Sequence, residues 1–353
     1  MLTEFLFGVW FMNQRQGLLP QSTTHLPTTT TTHQLHIEGK RYTRMGRYEI
    51  LERVPHDTKA FTQGLVVVAD ATSTSENVDT TKQMVNSNVY MYEGTGMYGA
   101  SELRRVDIQT GNVLAYHPLE KSYFGEGIAH YRDQNNRLHI IQLTWKRRQA
   151  FEYIFNTGQT IDGLSKSPSN HQLLADSVKS WSFQTTTNEG WGITYSPAKH
   201  LMYVSDGSEY IHVWDAETKR EIRKIAVTYK YPDRDESDPS KTITMLNEME
   251  YDPATNTILA NVWREDIILR IDPETGFVTT MYDLKNLLPR RDRTWRTDVL
   301  NGIALTYDPS LQVMGAGYNH GDNSDSYVCY GHDEIWVTGK YWPYMFRIRL
   351  IDN

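Results

Sequence analysis

Residues 124–129 read FGEGIA: one carboxylate, Glu126, sits between two glycines in a run whose flanks, Phe124 and Ile128, are apolar. Strand propensity does not explain a lone acid there, since glycine weakens a strand and glutamate is a poor strand residue. The same apolar–polar–glycine element returns as FTQGL (61–65), EGWGI (189–193), LNEME (246–250) and LNGIA (300–304). Successive copies start 63, 65, 57 and 54 residues apart, and regular recurrence of this kind marks a repeat architecture.

Each copy is followed by a second strand-like run: NVYMYEGTG (88–96), LHIIQLTW (138–145), LMYVSDGS (201–208), TILANVW (257–263) and EIWVTGKYW (334–342). A third run then ends in a turn, as in ELRRVDIQTG (102–111), YIHVWDAETK (210–219) and ILRIDPETG (268–276). Those endings supply Asp and Gly where tight turns need them. A fourth run follows most units, as in NVLAYHPL (112–119) and EIRKIAVTY (221–229). No window shows a sustained apolar face at the 3.6-residue helical period. The pattern predicts an all-β chain folded as a five-bladed β-propeller, with four-stranded antiparallel blades around a central channel. The last unit stops at its third strand, so YEILERVPH (48–56) is expected to complete that blade and close the ring.

The propeller domain is read as residues 47–351. Residues 1–40 are Thr-rich and read as a disordered N-terminal extension that cannot bury enough apolar surface to order itself. Its opening, MLTEFLFGVWFM, is either the remnant of a signal or anchor or a disordered tail. The polar or Gly-rich insertions 70–87, 162–184, 230–243 and 308–332 are read as loops.

Composition excludes several functions. A net charge of −7 argues against nucleic acid as partner, and the basic clusters KRR (146–148) and PRRDR (289–293) are read as solvated faces. No run approaches the length of a membrane-spanning helix. The single cysteine, Cys329, rules out an intramolecular disulfide and a cysteine-built zinc site. Twelve histidines carry no metal-ligand spacing; His320 and His332, with Asp322 and Asp325, are read as solvated. Nucleophile-elbow, phosphate-loop and dinucleotide motifs are absent.

First strands of propeller blades line the channel, so the five motifs should converge. Their alignment puts Gln63, Glu126, Trp191, Glu248 and Gly302 at equivalent positions. Trp145, Trp263 and Lys340 end second strands. With Trp191 and Glu126 they would ring one mouth with three indoles, a carboxylate and an ammonium, the composition of a small-ligand pocket. A structural role for Glu126, satisfied by backbone amides near the channel, is the competing reading.

Taken in order, PHDTKAFTQGL, YEGTGMYGASELRRVD, FGEGIA, QLTWK, EGWGI, SDGS, LNEME, ANVW, IDPETG, LNGIA and VTGKYWP resemble the plant and bacterial type of glutaminyl cyclase, over about residues 48–350. The resemblance implies a five-bladed propeller that converts the N-terminal glutamine of peptides or proteins to pyroglutamate and releases ammonia. It implies Glu126, Gln63, Asn247 and Lys340 as catalytic positions, and Phe61, Phe124, Trp145, Trp191 and Trp263 as substrate-binding ones. The single cysteine and the lack of a histidine pair at ligand spacing predict that catalysis requires no metal or other cofactor, though a structural calcium ion in the channel is compatible with that. A monomer of the secretory pathway or another extracytoplasmic compartment is the accompanying expectation. The alternatives are a non-catalytic propeller that binds a small ligand or peptide, and a metal-dependent hydrolase propeller with channel acids on calcium.

Overall fold

The structure, a computed structural model, describes residues 42–69, 89–156, 172–173, 175–232, 239–310 and 333–352. The N-terminal extension, the insertion 70–87, Cys329 and the His320/His332 group lie outside the described residues. The described chain is all-β apart from short 3-10 turns, as at Arg290–Asp292.

Strand β1 spans Arg44–Pro55. Strands β2 (Thr62–Ala69), β3 (Val89–Thr95), β4 (Glu102–Asp107) and β5 (Val113–Pro118) form one antiparallel sheet. A second comprises β6 (Gly125–Arg132), β7 (Leu138–Thr144), β8 (Gln149–Phe155) and β9 (Ser177–Ser182). A third comprises β10 (Ile193–Ser196), β11 (Leu201–Ser205), β12 (Tyr210–Asp215) and β13 (Glu221–Ala226). The short pair β14 (Thr228–Tyr229) and β15 (Lys241–Thr242) follows. Then come β16 (Leu246–Asp252), β17 (Thr257–Val262), β18 (Ile267–Ile271) and β19 (Val278–Asp283), and finally β20 (Leu300–Leu305), β21 (Glu334–Gly339) and β22 (Tyr344–Ile351). These last seven strands and β1 make an eight-stranded sheet in the order β16-β17-β18-β19-β1-β22-β21-β20. Within it β1 runs antiparallel to β22 from Arg47 to Pro55, as expected for the N-terminal run, and parallel to β19 at Arg44–Gly46.

The architecture is propeller-like. The first strands pack side by side: β2 on β6, β6 on β10, β10 on β16, β16 on β20 and β20 on β2. Apolar layers lie between neighbouring sheets. Val66, Val68 and Tyr92 meet Ile128 and Ile140, Ala129 and Ile141 meet Ile193 and Val204, and Tyr203 and Val213 meet Met249 and Tyr251. Fully burying one such Ile or Leu is worth about 1.5–3 kcal/mol, so each sheet is held mainly by its neighbours. The Asp-started turns form as read: Asp107 accepts from the N–H groups of Gln109 and Thr110, Asp272 from those of Glu274 and Thr275.

Two readings need correction. The insertion 162–184 is not all loop, because Ser177–Ser182 is the outermost strand β9. Its side chains are almost all exposed, so it carries no apolar alternation to betray it. The insertion 230–243 likewise contributes β15.

The second correction is one of register. Four first strands carry a β-bulge near the start, and just ahead of the fifth, β10, Trp191 and Gly192 both bond the Ser205 backbone: Gly125 pairs with Thr144 but Ile128 with Gln142, Leu246 with Val262 but Met249 with Ala260, and Leu300 with Gly339 but Ile303 with Val337. Thr62 and Leu65 pair with Thr95 and Glu93 in the same way. The equivalent positions are therefore Gln63, Glu126, Trp191, Asn247 and Asn301. Glu248 and Gly302 fall one place later, beside Gly64, Gly127 and Gly192. Neighbouring first strands nearly touch at that later position: a Cβ on Gly192 would lie 2.1 Å from the Asn247 carbonyl oxygen.

Candidate active site

A bulge re-aims the side chains beside it, and the bulge residues here gather at the end of the first strands where second strands finish. The backbone N–H groups of Gly96, Trp145, Trp263 and Lys340 donate to the carbonyls of Phe61, Phe124, Met245 and Val299, which stand just ahead of the first strands. Three second-strand ends read from the sequence thus share one position.

Six of the nine residues named from the sequence, the five aromatics and Lys340, are joined in series, with Glu189 as one link. Phe61 meets Phe124 edge-on at 5.9 Å between centroids, and Phe124 meets Trp145 at 5.6 Å. The indole N–H groups of Trp145 and Trp191 both donate to Glu189 Oε2, at 2.7 and 2.9 Å. Trp191 packs edge-on against Trp263 at 5.8 Å. On the other side, Lys340 Nζ lies 4.6 Å from the Phe61 ring centre. Gln63, Glu126, Asn247 and Lys340 are buried, while the five aromatics remain partly open. Buried polar side chains thus sit beside partly exposed aromatic rings. Gly207 seats one ring: it has φ +79°, and a Cβ there would lie 2.7 Å from the Trp191 indole.

Electrostatics separate Glu126 from an ordinary carboxylate. Only 5% of it is exposed, and among the described residues no donor stands at hydrogen-bond distance from its carboxylate. Burial pushes its pKa well above the usual range; the Lys340 ammonium opposes that shift, and the Glu189 carboxylate adds to it. Burial moves Lys340 the other way, below its usual value, against the pull of Glu126 and Asp298. A desolvated acid and a desolvated amine, shifted toward one another, suit proton transfer. Buried polar atoms also remain for an incoming molecule, among them Asn247 Oδ1 and Asn301 Oδ1, which have no partner among the described residues.

Two residues at the site were missed in the sequence. Asn301 occupies the bulge position of β20, and its Nδ2 donates to Gln63 Oε1 at 3.3 Å and to the Thr62 carbonyl at 3.0 Å. An alignment that started LNGIA one residue earlier would have found it. Glu189, the first residue of EGWGI, stands where Phe61 and Phe124 stand in their motifs. That equivalence was the available signal.

The family model for glutamine cyclotransferase matches residues 21–317. A glutaminyl-peptide cyclotransferase of Arabidopsis thaliana is 28% identical over 312 residues, covering 87% of this chain and 72% of its own. The crystal structure of Myxococcus xanthus glutaminyl cyclase superposes with a TM-score of 0.57 at 23% identity, covering 88% of this chain and 99% of that one; it bears on the fold alone. With the family model spanning most of its length, the chain belongs to the glutamine cyclotransferase family.

Proposed function

We propose that this chain is a glutaminyl cyclase acting on peptides or proteins that begin with glutamine. The observation that carries the reading is the buried Glu126, with no hydrogen-bond donor among the described residues, within electrostatic reach of Lys340 and beside the aromatic rings. The reaction is an intramolecular aminolysis. The substrate's α-amine nitrogen bonds to its own γ-carboxamide carbon, and the bond from that carbon to the amide nitrogen breaks. The products are a pyroglutamyl lactam and ammonia.

Both reacting groups belong to one molecule, so the protein mainly has to hold the folded-over conformer and handle protons. Glu126 takes the proton that the α-amine sheds and returns it to the departing nitrogen. Its raised pKa suits both halves of that exchange, and general acid–base help of this kind is worth ~10²–10⁴-fold. Oxyanion donors are Lys340, Asn247 and Gln63, whose own amide oxygen Asn301 occupies, leaving its NH₂ to donate. Phe61, Phe124, Trp145, Trp191 and Trp263 enclose the glutaminyl stem and keep water out, favouring cyclisation over hydrolysis to glutamate. Turnover in this scheme needs no metal or cofactor; a calcium ion in the channel would bear on stability alone.

We also infer five blades. Three sheets have four strands, and the eight-stranded sheet divides into two sets of four at the three-residue parallel pairing of β19 with β1.

The test is mass spectrometry of a glutamine-initiated peptide incubated with the protein, with and without a strong chelator. The expected result is loss of one ammonia per peptide in both samples. Peptide bound but unchanged would instead mean a binding module, and activity abolished by the chelator would mean a metal enzyme.

A further inference from the structure

Nine large apolar side chains are strongly exposed among the described residues, and they fall into two groups. Met45 and Ile50 lie on β1, and Tyr116, Val178 and Ile222 on β5, β9 and β13, the edge strands of their sheets; singly exposed apolar residues of this kind are common on protein surfaces. Met97, Tyr98, Met245 and Trp295 lie on the loops that border the candidate active site. Trp295 is the extreme case, 92% exposed.

Trp295 is not a loose side chain on a loose loop. Thr294 and Thr297 close a turn around it: the Thr294 N–H donates to Thr297 Oγ1 at 2.8 Å, and the Thr297 N–H to the Thr294 carbonyl at 3.2 Å. The turn is tied to the site, because the Asp298 N–H donates to the Lys340 carbonyl at 2.9 Å and the Trp342 indole N–H to the Asp298 carbonyl at 2.9 Å. The Arg296 guanidinium lies 5.7 Å from the Trp295 ring centre and 4.9 Å from that of Tyr341. Tyr341 in turn lies 5.2 Å from Phe61. On the neighbouring side, Tyr98 packs edge-on against Phe124 at 5.4 Å. A presented indole on a hydrogen-bonded turn is a preformed contact surface, since little ordering is left to do on binding.

We propose that Trp295, backed by Arg296 and Tyr341, is a subsite for the substrate peptide beyond its N-terminal glutamine, and that it favours an aromatic side chain there. The proposal rests on the cyclase reading for the direction in which the peptide leaves the active site. The ring contacts in series put Trp295 within roughly 16 Å of Phe61, and an extended chain covers about 3.3–3.6 Å per residue. Residues two to five of the substrate therefore reach the indole. An aromatic pair at this open rim adds affinity without touching the reacting atoms, so the effect belongs in KM.

The experiment uses pentapeptide amides beginning with glutamine, all-alanine or with one phenylalanine placed at each of positions two to five. Phenylalanine at one or two of these positions should raise kcat/KM by ~5–10-fold over all-alanine through a lower KM. Trp295→Ala should erase that gain and leave the all-alanine peptide and the melting temperature unchanged. Equal rates for every peptide, or a Trp295→Ala defect shared equally by all of them, would overturn the proposal. Calorimetric titration of the same peptides into Glu126→Gln protein, which holds them unreacted, keeps the question separate from turnover. Silence of the wild-type protein toward every peptide would remove the cyclase reading, and the binding difference between phenylalanine and alanine peptides would still decide the subsite.

Discussion

Glu126 and Glu248 are both glutamates on first strands, both buried, and both have pKa values pushed up chiefly by burial. They sit one register position apart, and that one position changes their chemistry. Glu248 lies where first strands crowd together, and its carboxylate accepts backbone N–H groups from two of them, Ile303 at 2.7 Å and Leu65 at 3.4 Å. Glu126 sits on the bulge, has no such donors among the described residues, and lies within electrostatic reach of Lys340. A buried acid whose oxygens are taken up by backbone ties strands together. One left without donors is free to exchange a proton. Burial alone would not tell these apart; the hydrogen-bond inventory does.

The comparison is easiest to break at the axis. Glu248→Leu would leave the N–H groups of Leu65 and Ile303 without acceptors. Each such orphan costs about 1–3 kcal/mol, so thermal unfolding should fall by several degrees. Activity per folded molecule should stay within about twofold. A variant as stable as wild type would deny Glu248 its role as a tie between strands.

At the mouth, the charges around Glu126 can be removed with opposite signs. Lys340 lowers the Glu126 pKa and Glu189 raises it. If Glu126 must start as the base, kcat/KM falls as pH drops through its pKa, on a limb displaced above the ordinary carboxylate range. Lys340→Met should move that limb to higher pH and lower kcat about tenfold or more, since an oxyanion donor goes too. Glu189→Gln should move the limb to lower pH, with the smaller loss. Limbs that shift together, or not at all, would detach the profile from Glu126.

A smaller effect tests the axis by pH. Burial raises Glu250 to about 8, so the folded state binds a proton that the unfolded state has released. The stability this contributes is complete below the unfolded value near 4.5 and declines as pH rises toward 8. Melting temperature should therefore fall between pH 5 and 8, and Glu250→Gln should flatten that slope; an unchanged slope would place its origin elsewhere.

Much of this was legible in the sequence. The repeated first-strand motif announced itself through glycine, because first strands approach closely at that position and four of the five copies, Gly64, Gly127, Gly192 and Gly302, carry no side chain there. Trp145, Trp263 and Lys340 shared a position because their second strands have similar lengths. The bulge was not legible: an extra residue leaves composition untouched, so LNEME and LNGIA aligned one place off and Glu248 was set beside Glu126. Strand β9 was hidden for a different reason, since an outer edge strand buries almost nothing and its sequence, SVKSWS, is free to be polar. Glu189 was overlooked because its work, holding two indoles by their N–H groups, is a contact between distant residues rather than a pattern.

The most direct test measures kcat and melting temperature on the same preparations of Glu126→Gln and Glu248→Gln. Glutamine keeps size and hydrogen-bonding capacity in both but cannot carry a proton. The account predicts that Glu126→Gln loses ~10²-fold or more in kcat with little change in KM and an unchanged or higher melting temperature, while Glu248→Gln keeps its kcat. A folded Glu126→Gln protein with more than about half the wild-type kcat would contradict it, as would a loss of turnover that followed Glu248 instead.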